Sequence, residues 1–276
     1  NFALPAMLFN ALSQRNFAEV LNPNYLLAYG AGSMFSFAVG FWVWRVWRKK
    51  PLTESGMVAM GVSCSNSGYV GYPILLQFLG PVAGVGLALT VLIENLLTIP
   101  LALAIAESGE TEHLSWQHTV LQSLKRMTKL PMMQAIVAGF VFSMLGWHLP
   151  EVLSKTVNLF AASTAAIALF VNGGSLVGMR VVGLIQEVRW IAVGKLVLHP
   201  LAVGLMLMVV GPIDPSLKIS AVLLAGMPML GIYPLLAQRH GQEGFCAAAL
   251  LVTTIASFFT ISLILWAMGE LPGWHV

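Results

Sequence analysis

SNSGYVGYPILLQFLG (residues 65–80) interrupts a segment that is otherwise apolar enough to cross a membrane. Two serines, an asparagine, three glycines and a proline stand where a helix would run unbroken. Such residues are poor helix formers in a helix interior, so the stretch predicts a broken helix.

The surrounding composition makes the break meaningful. Hydrophobic residues are 58% of the 276-residue chain and charged residues 9%, and mean hydropathy is +0.83. Soluble domains carry roughly 25% charged residues, so the sequence belongs in a lipid bilayer. A net charge of +3, scattered along the chain, gives no basis for binding nucleic acid. Cys64 and Cys246 make no disulfide framework and no metal-ligand spacing, and read as small buried residues. The six histidines, at 113, 118, 148, 199, 240 and 275, form no ligand motif. No paired acid site or phosphate loop is present either, so the chain reads as not an enzyme, with no cofactor and no metal.

About 20 apolar residues span a bilayer, and complete candidates fall near 24–44, 55–79, 82–106, 131–149, 152–178, 190–211, 216–238 and 244–268. The opening run 1–13 is too short and reads as the tail of another helix. Residues 107–130 form the one long polar connection; Leu114, Leu121, Leu124 and Met127 fall at helical spacing there, as in a helix lying on the membrane surface. A solvated linker is the alternative. Loops alternate sides, so 45–53, 107–130, 179–189 and 239–243 share a face with ten Lys or Arg, against Arg15, Lys155 and Lys218 opposite. That asymmetry puts loop 107–130 in the cytoplasm and the C-terminus outside a plasma (inner) membrane.

YPILLQFLG (72–80) has a counterpart in YPLLAQRHG (233–241), 161 positions later, with five of nine residues identical. The same offset relates Pro51 to Pro212, Ser55 to Ser216, Leu8-Phe9 to Leu169-Phe170, and ALTV at 88–91 to ALLV at 249–252. Helix 131–149 has no counterpart at that offset, which leads to the expectation of about 30 further leading residues and of five plus five helices. An odd number of helices per half sets the halves in opposite membrane orientations, the inverted-repeat plan of secondary transporters. In such proteins a broken helix in each half lines the substrate cavity. Here SNSGYVG breaks 55–79 and GMPMLGIY (226–233) breaks 216–238, with unwinding expected around 66–72 and 227–233. Pro73 and Pro234 are placed to start the second half-helices, whose positive ends attract an anion. Simple proline kinks are the plain alternative.

GVSCSNSGYVGYPIL (61–75), LFVNGGSLVG (169–178) and AGMPMLGIYP (225–234) together resemble the auxin efflux carrier family. The likeness is strongest to its bacterial carriers of malonate and related small carboxylates, and extends to the plant auxin exporters. It implies an all-α, 5+5 inverted-repeat membrane transporter like the bile-acid symporters, with two broken helices that cross. It also implies a scaffold at 1–13 and 131–178, a mobile transport unit at 24–106 and 190–268, elevator-type motion, and homodimers through the scaffold. The plant members' Asn-Pro-Asn at the first break is Ser65-Asn66-Ser67 here, which argues against an indole acid.

The candidate substrate-binding residues are therefore Asn10, Ser65, Asn66, Ser67, Tyr69, Tyr72, Pro73, Asn172, Met227, Pro228, Tyr233 and Pro234. Asn10 and Asn172 follow the matched Leu-Phe pairs, with interhelical hydrogen bonding as the alternative. Glu94 lies halfway along 82–106, the costliest place for a carboxylate, which makes it a functional candidate. Low dielectric disfavours a charged carboxyl, so Glu94 is a candidate carrier of a coupled proton. His199 is a second relay candidate, pairing with Glu94, or else a core histidine. Lys195, five residues inside 190–211, is expected to snorkel to the interface, with anion contact as the other reading. The function predicted is secondary transport of a small organic anion, H+-coupled or, as in the bile-acid type, Na+-coupled. A channel or receptor is the competing class.

Overall fold

The computed structural model describes residues 2–15, 21–109, 121, 125, 128–176 and 185–270, and every regular segment among them is helical. That follows from the sequence, because in lipid a helix satisfies its own backbone polar groups. Most of the surface-helix expectation at 107–130 lies outside the described residues.

α1 (Ala3–Ser13) packs against α7 (Pro131–Leu145) and α8 (Glu151–Leu176). The chain then runs through α2 (Pro23–Trp42), α3 (Leu52–Ser63), α4 (Tyr72–Leu79), α5 (Val82–Ile93) and α6 (Ile99–Ser108). After α8 come α9 (Ile185–Val193), α10 (His199–Val209), α11 (Pro215–Ala225), α12 (Tyr233–Gln238) and α13 (Glu243–Glu270). Among the described residues, five continuous stretches are long and apolar enough to cross a membrane: Pro23–Trp47, Val82–Ser108, Glu151–Val171, Gln186–Val209 and Glu243–Ala267. The chain is a multi-pass membrane protein.

Two of these rods contain a π-helical turn at mid-length, Glu94–Thr98 between α5 and α6 and Gly194–Leu198 between α9 and α10. Each is followed two residues further on by a proline, Pro100 and Pro200. Proline lacks the N–H for the i→i−4 bond and clashes with that carbonyl, and a wider turn relieves both. π turns are frequent at functional sites, and these two carry Glu94 and Lys195.

The predicted spans 55–79 and 216–238 are not continuous helices. α3 ends at Ser63, residues 64–66 are non-helical, and a π turn (Ser67–Gly71) leads into α4. The first break is thus shorter and earlier than 66–72, because the chain regains helical geometry as soon as Asn66 has turned it. Val70 N and Gly71 N both donate to Asn66 O, at 3.1 and 2.9 Å. The half-helix therefore opens at Ser67, and Pro73 sits inside it. The second break covers 226–232, between α11 and α12, and Pro234 is the second residue of its half-helix as expected.

Helix ends follow local chemistry. Asn22 accepts from Tyr25 N at 2.9 Å and Asp214 from Ser216 N at 2.9 Å, capping α2 and α11. Helix 131–149 stops early, at Leu145, where Gly146 turns left-handed (φ 62°). The Arg48–Glu187 ion pair (3.2 Å) and the Trp47–Trp190 edge contact join the 45–53 and 179–189 connections at one end of the bundle. Asn24 Nδ2 donates to Pro212 O (3.1 Å) at the other end.

Close approach of helices depends on small residues, as in other membrane bundles. A Cβ on Gly32 of α2 would lie 2.7 Å from the Cα of Val203 in α10. Backbone cannot swing aside as a side chain can. Gly32→Ala is therefore expected to cost about 1–3 kcal/mol, read as a lower unfolding temperature in detergent. An unchanged temperature would show that α2 and α10 do not hold this contact.

Candidate functional site

The two breaks meet. Ser65 and Met229 form an isolated antiparallel bridge, and Asn66 N donates to Pro228 O at 2.8 Å. Gly231 approaches so closely that a Cβ there would lie 3.2 Å from Asn66 Nδ2. Met227 and Pro228 are buried in the same contact. Backbone groups freed by each break are thus partly satisfied by the other, which is the condition for irregular chain at membrane depth.

Around the bridge lies a buried polar network, and the π turns aim its two charged members inward. Glu94, 2% exposed, accepts at Oε1 from Ser65 N (2.8 Å), Ser67 Oγ (3.2 Å) and Tyr29 OH (3.4 Å). Ser67 Oγ also lies 3.2 Å from Oε2. Glu94 therefore sits at the N-terminal, partly positive end of the Ser67–Leu79 half-helix. That end was expected to draw a substrate anion, and instead holds the chain's own carboxylate.

Lys195 is fully buried, not snorkelling. Its Nζ donates to Ser65 Oγ (2.7 Å), Ala225 O (2.7 Å) and His199 Nδ1 (2.8 Å). An ammonium has three donors and no acceptor, so all three are engaged. Nδ1 must then be the acceptor, and the ring proton is on Nε2, which faces Ser33 Oγ at 2.9 Å. Ala225 is the last residue of α11, so Lys195 neutralises the partly negative end of the second broken helix. Snorkelling fails because the helix already runs from Ile185 among the described residues, five residues before the predicted start, and places Lys195 deep along the rod. His199 pairs with Lys195 and Ser33, not with Glu94.

Other predicted residues are placed differently. Tyr233 is buried, and its hydroxyl donates to Met57 O (2.9 Å), tying α12 to α3. Pro73 is buried within the first half-helix, and Tyr69 is half-buried in its π turn. The side chain of Asn172 lies outside the described residues. Asn10 and Tyr72 line a separate cleft of about 460 Å3 between α1, α4, α5 and α8, together with Gln14, Arg15 and Asn158.

Tyr29 and Ser33 were not singled out from the sequence. With Tyr25 they recur every four residues along α2, a polar stripe on one helix face. Tyr25 OH continues the stripe to Thr90 Oγ1 (2.8 Å) and Gly86 O (3.2 Å) in α5.

The membrane transport protein family profile matches residues 1–265. A Rhizobium meliloti (strain 1021) protein named "Putative malonate transporter" is 28% identical over 274 residues, which cover 98% of this chain and 85% of that one. An Escherichia coli (strain K12) protein named "Uncharacterized transporter YfdV" is 25% identical over 208 residues, covering 73% of this chain and 65% of the relative.

Proposed function

The chain belongs to the membrane transport protein family, the auxin efflux carrier group, and from that premise we propose that it is a proton-coupled secondary carrier of a small carboxylate. The observation that carries this reading is the joining of both helix breaks around Glu94, Ser65 and Lys195, three residues linked through 2.8 and 2.7 Å hydrogen bonds. A buried carboxylate at such a junction can take up and release a proton in step with movement of the two half-helices. The name of the Rhizobium meliloti relative supports malonate as the first substrate to try.

The inverted repeat is part of the proposal, and matched element bounds support it. At the 161-residue offset, Leu52–Ser63 falls on Pro215–Ala225, Tyr72–Leu79 on Tyr233–Gln238, and Val82–Ser108 on Glu243–Glu270. Gly80 and Gly241, also 161 apart, close the paired half-helices with φ of 56° and 65°. In this reading α1, α7 and α8 are scaffold, and the remaining helices move as an elevator. Exposed Leu159, Phe160 and Phe170 on α8 suit burial against lipid or a second copy in a homodimer. The Arg48–Glu187 end is the cytoplasmic one, by its excess of Lys and Arg.

A proton is favoured over Na+ because the Ala225 carbonyl, the kind of oxygen a cation would take at a helix end, accepts from Lys195. Purified protein in proteoliposomes is expected to accumulate labelled malonate under an imposed pH gradient and not under a Na+ gradient. Accumulation that follows Na+ alone would refute proton coupling, and absence of any carboxylate flux would refute the carrier.

A further inference from the structure

The buried network raises a problem of charge for the carrier. Among the described residues an incoming anion finds no spare cation at the breaks, because Lys195 is fully buried with its three donors engaged by protein acceptors. The positive end of the first half-helix already faces Glu94 through Ser65 N and Ser67 Oγ. Recognition of the substrate's charge therefore falls to another group.

Resting on the carrier reading above, we propose that Arg15 binds the carboxylate of the transported anion, in the cleft between α1 and α8 on one side and α4 and α5 on the other. The cleft's volume of about 460 Å3 lies within the range of small-molecule sites. Among the described residues that line it, Arg15 is the one formally charged side chain, with no Asp or Glu beside it. Among the described residues no ion pair forms at Arg15. Its backbone is fixed, since Ser143 Oγ donates to Arg15 O (2.7 Å) and Arg15 N donates to Leu12 O (3.4 Å). A guanidinium presents two parallel N–H groups that match a carboxylate.

Neutral groups complete the wall. Gln14 Nε2 donates to Asn10 Oδ1 (2.6 Å), which leaves the Asn10 amide N–H groups as donors. Asn158 and Tyr72 add polar atoms from α8 and α4. Gly84 permits close contact between α5 and α1, where an added Cβ would collide with the Ala11 Cβ. Tyr72 belongs to the half-helix that Glu94 caps, so an anion held on Arg15 lies against the element whose position the proton controls. The cleft is at the 80–81 turn and the end of α7, opposite Arg48–Glu187.

The test is malonate titration of the purified full chain by calorimetry, near 0.15 M salt so that distant charges are screened. Arg15→Gln is expected to raise the malonate Kd about ten- to a hundredfold, the worth of hydrogen bonds to a charged group. Arg15→Lys keeps the charge, loses the fork, and falls between. Lys155→Gln removes a cation that is paired with Glu151 (2.6 Å) and does not line the cleft, and leaves the Kd unchanged. The unliganded unfolding temperature of Arg15→Gln matches the parent, which separates recognition from folding. A parent that binds malonate and an Arg15→Gln variant that binds it equally would overturn the role of Arg15 and leave the carrier standing. A parent that neither binds nor transports malonate, succinate or acetate would overturn the carrier and this assignment together.

Discussion

Lys195→Met is expected to destabilise the protein by about 3–5 kcal/mol, the usual consequence of deleting one member of a buried charged network, and to abolish transport. Methionine fills much of the lysine volume, so the loss is not a packing loss. It strips hydrogen bonds from Ser65 Oγ, Ala225 O and His199 Nδ1, all in buried surroundings. It also leaves the Glu94 carboxylate without its nearby cation. The double variant Glu94→Gln with Lys195→Met should recover part of the loss, by about 0.5–3 kcal/mol of coupling. Unfolding of the four proteins in one detergent, as a double-mutant cycle, reads both numbers. If Lys195→Met unfolds like the parent, the ammonium does not tie the two breaks together.

How far the sequence could reach is best seen residue by residue. The breaks were legible because serine, glycine and proline in an apolar run are local signals, and because the pattern recurs 161 residues later. Their lengths were not legible. Proline marks where a helix is permitted to begin, and the first half-helix opens six residues earlier, at Ser67, since Asn66 O can accept from both Val70 and Gly71. Glu94 stood out through the cost of a carboxylate in lipid, an argument that needs no partner. Lys195 was misplaced because its depth depends on where its helix starts. Gln186, Glu187 and Arg189 interrupt the apolar residues of 185–193, so hydropathy put that start too late. Arg15 read as a loop cation, and only the packing of α1 against α5 and α8 turns it towards a cleft. Properties carried by the local chain were readable; those created by two helices meeting were not.

Glu94→Gln should separate coupling from both recognition and folding. The geometry around Glu94 tolerates an amide. Oε1 of glutamine can still accept from Ser65 N, and Nε2 can donate to Ser67 Oγ, because a hydroxyl accepts as well as donates. Glutamine also reproduces the shape and neutrality of the protonated carboxyl, a state that a proton carrier visits in every cycle, so the fold should persist. Malonate affinity is expected to change by less than about tenfold, within 1.4 kcal/mol, because the carboxylate is recognised at Arg15 and not at the break. Proton-driven accumulation should disappear altogether, since the carboxyl that takes up the proton where the half-helix begins is gone. Exchange of labelled for unlabelled malonate, which needs no net proton movement, should continue. Proteoliposomes loaded with malonate and assayed with and without a pH gradient distinguish these outcomes. A Glu94→Gln protein that accumulates malonate like the parent would make Glu94 a structural cap of the Ser67–Leu79 half-helix and send the search for the coupling group elsewhere.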